Sequence, residues 1–101
     1  MPAYVIANVT VHDSEGYRDY TAQTPKSIAD HGGRFIVRGG EVEVLEGDWR
    51  PSRLVIVEFP SIEAARAWYT SPEYERIKEI RLAHADSELV LTDSGVLPDE
   101  Q

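Results

Sequence analysis

The sequence has no cysteine, a single methionine, and only ten Lys and Arg against eighteen Asp and Glu. The missing cysteine excludes disulfides, thiolate metal sites and thiol nucleophiles together. The shortage of cations leaves a formal charge of −8, which repels phosphate backbones and anionic bilayers. Neither a nucleic-acid nor a membrane partner is therefore expected. The start, Met1-Pro2-Ala3-Tyr4-Val5, lacks a basic region and a long apolar run, giving the expectation of a cytoplasmic protein. No Pro/Gly/Ser-rich break divides the 101 residues. One domain over 1–94 with an acidic C-terminal tail over 95–101 is expected. A chain of this length buries about 60 to 70% of its unfolded surface, enough for one layer of helices on one sheet.

What is present is alternation. Tyr4 to His12 reads as a strand with one small face (Val5, Ala7, Val9, Val11) and one mixed face (Tyr4, Ile6, Asn8, Thr10). From Ser14 to His31 a helical stripe of Tyr17, Tyr20, Thr21, Thr24 and Ile28 follows a cap at Asp13 or Ser14; Pro25 should kink it and Gly32 end it. The next apolar residues lie on odd positions before Gly39-Gly40 (Phe35, Val37) and on even ones after (Val42, Val44). A single strand from about Arg34 to Glu46, bulged at the glycine pair, accounts for that change of phase. After a turn at 47–52, Arg53 to Phe59 forms a strand. Ser61 caps a short helix carrying Ile62, Ala65 and Trp68, and Ser71-Pro72 restarts a second piece with Tyr74, Ile77, Ile80 and Arg81. Glu88 to Thr92 is the last strand.

This order predicts an α+β, ferredoxin-like βαββαβ fold, a four-stranded antiparallel sheet with its helices on one face. The other face, about 400 Å² by strand dimensions, would carry Tyr4, Ile6, Ile36, Leu45, Leu54 and Ile56. Covering it requires a second copy, so a homodimer is expected.

A hairpin closed symmetrically about 47–52 would set Leu45 opposite Leu54, Glu43 opposite Ile56 and Glu41 opposite Glu58. The bulge would put Arg38 on that same face. Glu58 as acid or base and Arg38 as anion anchor form the candidate catalytic pair, with Tyr4, Asn8 and Glu41 as ligand-binding neighbours. A structural salt bridge fixing the dimer register is the competing reading. Trp68, Tyr69 and Tyr74, clustered at the helix break, are further ligand-binding candidates, although aromatics at helical spacing commonly pack the core. Arg53 is expected on the surface beside Glu46, and Arg81 is placed in a last helical turn, where a cation suits the dipole. His12, His31 and His84 lack metal-ligand spacing, so no metal site is expected. Neither glycine pair forms a phosphate loop, and there is no nucleophile elbow.

The run Gly32-Gly33-Arg34-Phe35 with Arg38-Gly39-Gly40, then Glu46-Gly47, Arg53 with Glu58-Phe59, Trp68-Tyr69-x-Ser71-x-x-Tyr74 and Arg81 resembles the bacterial domain-of-unknown-function family 1330, from about Tyr4 to Thr92. The resemblance implies a subunit of the dimeric α/β-barrel superfamily, in which two sheets close face to face. It implies no reaction. The superfamily includes cofactor-independent monooxygenases, lactone isomerases, haem-dependent enzymes and ligand-binding regulatory domains. The expected function is a cofactor-independent enzyme acting on a small, partly apolar or anionic molecule in a pocket beside the dimer sheet. The alternative is a non-catalytic, dimeric ligand-binding or stress-related module. No motif requires a cofactor, and haem enters only through superfamily analogy.

Overall fold

The computed structural model describes residues 1–96; the expected acidic tail lies outside the described residues from 97 onward. The chain runs β1 (Ala3–Val11), α1 (Ser14–Ala29), β2 (Arg34–Arg38), β3 (Leu54–Phe59), α2 (Ile62–Tyr69), α3 (Pro72–His84) and β4 (Ala85–Asp93). The strands form one antiparallel sheet in the order β2-β3-β1-β4. This is the expected split βαβ arrangement, with the second helix in two pieces.

Local chemistry explains the boundaries. Asp13 caps α1 by accepting from the Gly16 amide at 3.2 Å. α1 runs through Pro25 as one helix, where the sequence predicts a kink, and closes on left-handed Gly32, with the Gly33 amide bonded to Ile28 O. Ser71 serves two helices at once: its hydroxyl donates to Trp68 O at 2.8 Å, ending α2, and accepts from the Tyr74 amide at 3.2 Å, starting α3. Pro72 follows at the first helical position, where its missing N–H costs nothing. β4 extends beyond the expected Glu88–Thr92 because β1 pairs with it from Ala3↔Asp93 to Val11↔Ala85.

The small face of β1 lies under the helices. Val5, Ala7 and Val9 are buried there beside Val57 and Phe59 of β3. Trp68, Tyr74, Ile28 and Ile77 complete the core. The Trp68 ring sits 4.1 Å from Tyr74 and 5.4 Å from Phe59. Its indole N–H donates at 3.1 Å to the fully buried Ser27 hydroxyl, which in turn donates to Thr24 O at 2.8 Å. That chain satisfies both polar groups inside an apolar layer.

The bulge is real but displaced. Pairing steps from Phe35↔Val57 to Val37↔Ile56, so Ile36 is the extra residue and the strand stops at Arg38. Gly39 follows with φ +76°, and its amide donates to Leu54 O at 2.8 Å, the last rung of the ladder. The expected pairings of Leu45, Glu43 and Glu41 do not form; 39–53 is an irregular connection in which Leu45 is 87% and Trp49 61% exposed. Leu45 thus leaves the expected apolar face, whereas the β1–β3 register places Tyr4, Ile6, Leu54 and Ile56 on it. Among the described residues no helix is long and apolar enough to cross a membrane.

Replacing Ser27 by Ala should strand the buried Trp68 N–H, a cost of about 1–3 kcal/mol. For a domain of this size each kcal/mol lowers Tm by about 4–8 °C. Thermal unfolding followed by circular dichroism checks it, and an unchanged Tm would show that the indole finds another acceptor.

Candidate functional site

Beneath α1 and α3, against the sheet, lies a cavity of about 60 Å³. Its floor is the small face of β1, where Ala7 between Val5 and Val9 leaves room that a larger residue would fill. Its roof comes from the buried stripe of α1, Tyr17, Tyr20 and Thr24, whose spacing keeps them on one helical face. Trp68 and Phe35 contribute aromatic wall. Most of this lining is apolar.

Three arginines interrupt it, drawn from three different elements. Arg81 follows Tyr74 and Ile77 on the inner stripe of α3 and is only 5% exposed. Its Nη1 donates to the Ser87 hydroxyl. Arg53 leads into β3, with its carbonyl accepting from the Val9 amide at 2.9 Å, and its side chain crosses the backbone of Gly39. A Cβ on Gly39 would stand 2.8 Å from the Arg53 Cζ and Nε, so glycine is required there for space as well as for its positive φ. Arg38, opposite Val55, lies over the Phe35 ring at 4.3 Å and is the exposed member of the three. The Nε atoms of Arg53 and Arg81 are buried without a hydrogen-bond partner among the described residues. None of the ion pairs among those residues involves Arg38, Arg53 or Arg81. Buried cations without counter-ions are costly, and such groups mark functional sites.

The tyrosines feel this field. Burial raises the Tyr17 phenol pKa above its ordinary value, against the opposing pull of the Arg53 and Arg81 charges. Burial, together with the neighbouring Tyr74, raises that of Tyr20 strongly. The Tyr20 and Tyr74 hydroxyls are 2.7 Å apart. Among the described residues no carboxylate or histidine lines the cavity. Its chemical capacity is therefore to bind an anion and to stabilise negative charge, with phenol and hydroxyl groups as neutral donors.

The structure separates the pair expected from the sequence. Because the extra residue is Ile36, Arg38 shares the helix-covered face with Phe35, whereas Glu58 faces the helix-free side and accepts from Arg34 Nε at 2.8 Å. Tyr4 lies opposite Glu58 on that side. Asn8 lies there too, opposite Leu54, its Oδ1 accepting from the Ser52 amide at 2.9 Å. Glu41 is exposed in the 39–53 connection. Trp68 lines the cavity, Tyr74 reaches it through Tyr20, and Tyr69 instead borders a depression of about 290 Å³ between α2 and β4, with Lys78 Nζ 4.8 Å above its ring. Arg53, expected on the surface with Glu46, and Arg81, explained by the helix dipole, are the site residues that sequence reasoning misses. Both carry a signal: Arg53 shares the odd phase of Val55 and Val57, and Arg81 sits seven residues from Tyr74 on one helical stripe. Among the described residues there is no cluster of His, Asp and Glu able to hold a metal ion.

A family described as Domain of unknown function (DUF1330) matches residues 2–94. The chain belongs to this family. No curated protein matches it significantly. This family member is similar in structure to a protein of unknown function from Rhodopseudomonas palustris, at 22% identity and TM-score 0.76, covering 96% of this chain and 84% of that one. It is also similar to SnoaB, a cofactor-independent oxygenase from Streptomyces nogalater, at 19% identity and TM-score 0.62, covering 96% and 97%. A dimeric ferredoxin-like protein of unknown function from Jannaschia sp. shares 14% identity at TM-score 0.66, covering 92% and 99%. These likenesses establish the ferredoxin-like fold.

Two outcomes follow from the buried charges. Arg81→Met should raise the Tm of the unliganded protein, because it removes a buried cation that lacks a counter-ion among the described residues; a lower Tm would make Arg81 a structural residue. In alkali, the raised Tyr17 and Tyr20 phenols make the folded state prefer the protonated form. Stability is fully present below the unfolded tyrosine pKa of about 10 and is lost as pH rises above it. Spectrophotometric titration should find these two tyrosines ionising only as the fold is lost, and early ionisation of all five would contradict their burial.

Proposed function

We propose that the chain is a homodimeric, cofactor-independent enzyme acting on a small, partly apolar or anionic molecule held between the helices and the sheet. The carrying observation is that Arg53 and Arg81, without ion-pair partners among the described residues, line an otherwise mostly apolar cavity. With no carboxylate or histidine in the lining among the described residues, the guanidinium groups would act by stabilising negative charge that develops on the substrate. Arg38 guards the mouth, and Trp68 and Tyr20, backed by Tyr74, shape the wall. The fold shared with the Streptomyces oxygenase supports an enzymatic role by analogy alone. A non-catalytic ligand-binding module would use the same cavity and differ only in lacking turnover.

The second copy would cover the helix-free face. Ile6, Leu54 and Ile56 form its centre, with Val90 60% exposed at one side, and a sheet-on-sheet contact would remove them from water. The dimeric Jannaschia protein supports this arrangement. Glu58 and Arg34, with Tyr4 and Asn8 beside them, would then fix the register, and the exposed Leu45 and Trp49 would reach the partner. A cytoplasmic location fits the cysteine-free composition.

Native mass spectrometry of the purified protein, with variants at both faces, tests the site. A co-purified small molecule should be lost with Arg53→Met and kept with Glu58→Gln; the reverse pattern would move the site to the dimer face. Ile56→Asp should convert the dimer to monomer by light scattering at micromolar concentration. A wild-type protein that is already monomeric would end the dimer reading.

A further inference from the structure

We infer that the cavity's ligand is a short-chain monocarboxylate, clamped by Arg53 and Arg81 with its apolar body on the β1 floor; this rests on the cavity being the functional site. Four observations converge on that class.

The cations are arginines, whose planar forks match a carboxylate in two parallel bonds, and Arg53 and Arg81 both line the cavity with no ion-pair partner among the described residues. Arg81 is the stronger witness, being only 5% exposed and without a carboxylate beside it among those residues.

Beyond the arginines the lining is mostly Val, Ala, Ile, Phe, Leu and Trp. An inorganic anion would leave these walls against empty space, whereas an alkyl or vinyl tail would fill them. Size sets the length. With about 60 Å³ of free volume, the cavity is small, which favours a short tail over a long one.

Net charge decides between anions. A chain of formal charge −8 repels a dianion more than a monoanion at long range, so phosphate loses more on approach than a carboxylate does. At short range, inside the pocket, the guanidinium groups attract the bound anion directly.

Gly39 belongs to the same device. It touches no ligand, but its missing Cβ is what lets the Arg53 guanidinium cross the strand end into the cavity. It is a positioning residue, and its replacement should weaken the anion without disturbing the apolar floor.

The test uses the intact protein, titrated at neutral pH with butyrate, its neutral isostere butyramide and inorganic phosphate, followed by calorimetry and by the Trp68 and Tyr17 resonances. Butyrate should bind about tenfold or more tighter than butyramide or phosphate, the scale of one charge-assisted bond. Arg53→Met, and independently Arg81→Met, should reduce butyrate to the butyramide level. Gly39→Ala should weaken butyrate and leave butyramide unchanged, which keeps the proposal testable should an arginine variant fail to fold. Equal binding of butyrate and butyramide, tighter phosphate, or undiminished butyrate binding to Arg53→Met would overturn the carboxylate assignment while leaving the cavity as a site. Failure of all three probes to move either resonance would overturn both the assignment and the cavity reading beneath it.

Discussion

The central strand sets the terms for everything else. β1 pairs with β4 along its whole length and with β3 along most of it, so its side-chain phase decides what both faces of the sheet look like. Odd positions, from Ala3 to Val9, are small and go under the helices; even positions, Tyr4, Ile6 and Asn8, face away. Small residues at the centre of a sheet let α1 and α3 approach at the ends while leaving a hollow over Ala7. The cavity is thus a consequence of strand composition and helix geometry together, since close packing would otherwise demand that such space be filled.

That hollow gathers chemistry from sequence-distant places because two strand ends and one helix stripe meet at its rim. β2 ends there, delivering Arg38; β3 begins there, delivering Arg53; and the inner stripe of α3 delivers Arg81. The dense aromatic cluster of Trp68, Tyr74 and Phe59, tied to α1 through Ser27, fixes the helices above it. A well-satisfied core thus stands next to cations without ion-pair partners among the described residues, so packing and charge are kept in different parts of the fold.

The fold is legible where signals are local. Caps at Asp13, Ser61 and Ser71, the proline at the start of α3 and the period-two pattern of β1 each depend on neighbours within a few residues, and the structure uses all of them. The connection 39–53 is not legible, because Glu41-Val42-Glu43-Val44 alternates identically whether or not a neighbouring strand is present to pair with it. Alternation reports which side a side chain would face and carries no information about a partner. The candidate site divides as well: Trp68, Tyr74 and Arg38 lie at or near the cavity, but Glu58 and Tyr4 share a face with Arg38 only if the bulge lies beyond it.

The point of failure is a single residue. The chain does contain one phase-changing insertion on this strand, and moving it from Gly39-Gly40 to Ile36 transfers Arg38 from one face of the sheet to the other. Because the pleat has a period of two, such an error cannot be partial. Glycine is the familiar bulge residue, yet Gly39 plays another part here, since its positive φ ends the ladder and its bare Cα admits the Arg53 side chain. Both glycine functions, conformational and steric, serve the cavity. The irregularity in the sequence therefore does mark the site, but it does so by bringing a second arginine to the helix side of the sheet, where Arg38, expected on the helix-free face, lies as well.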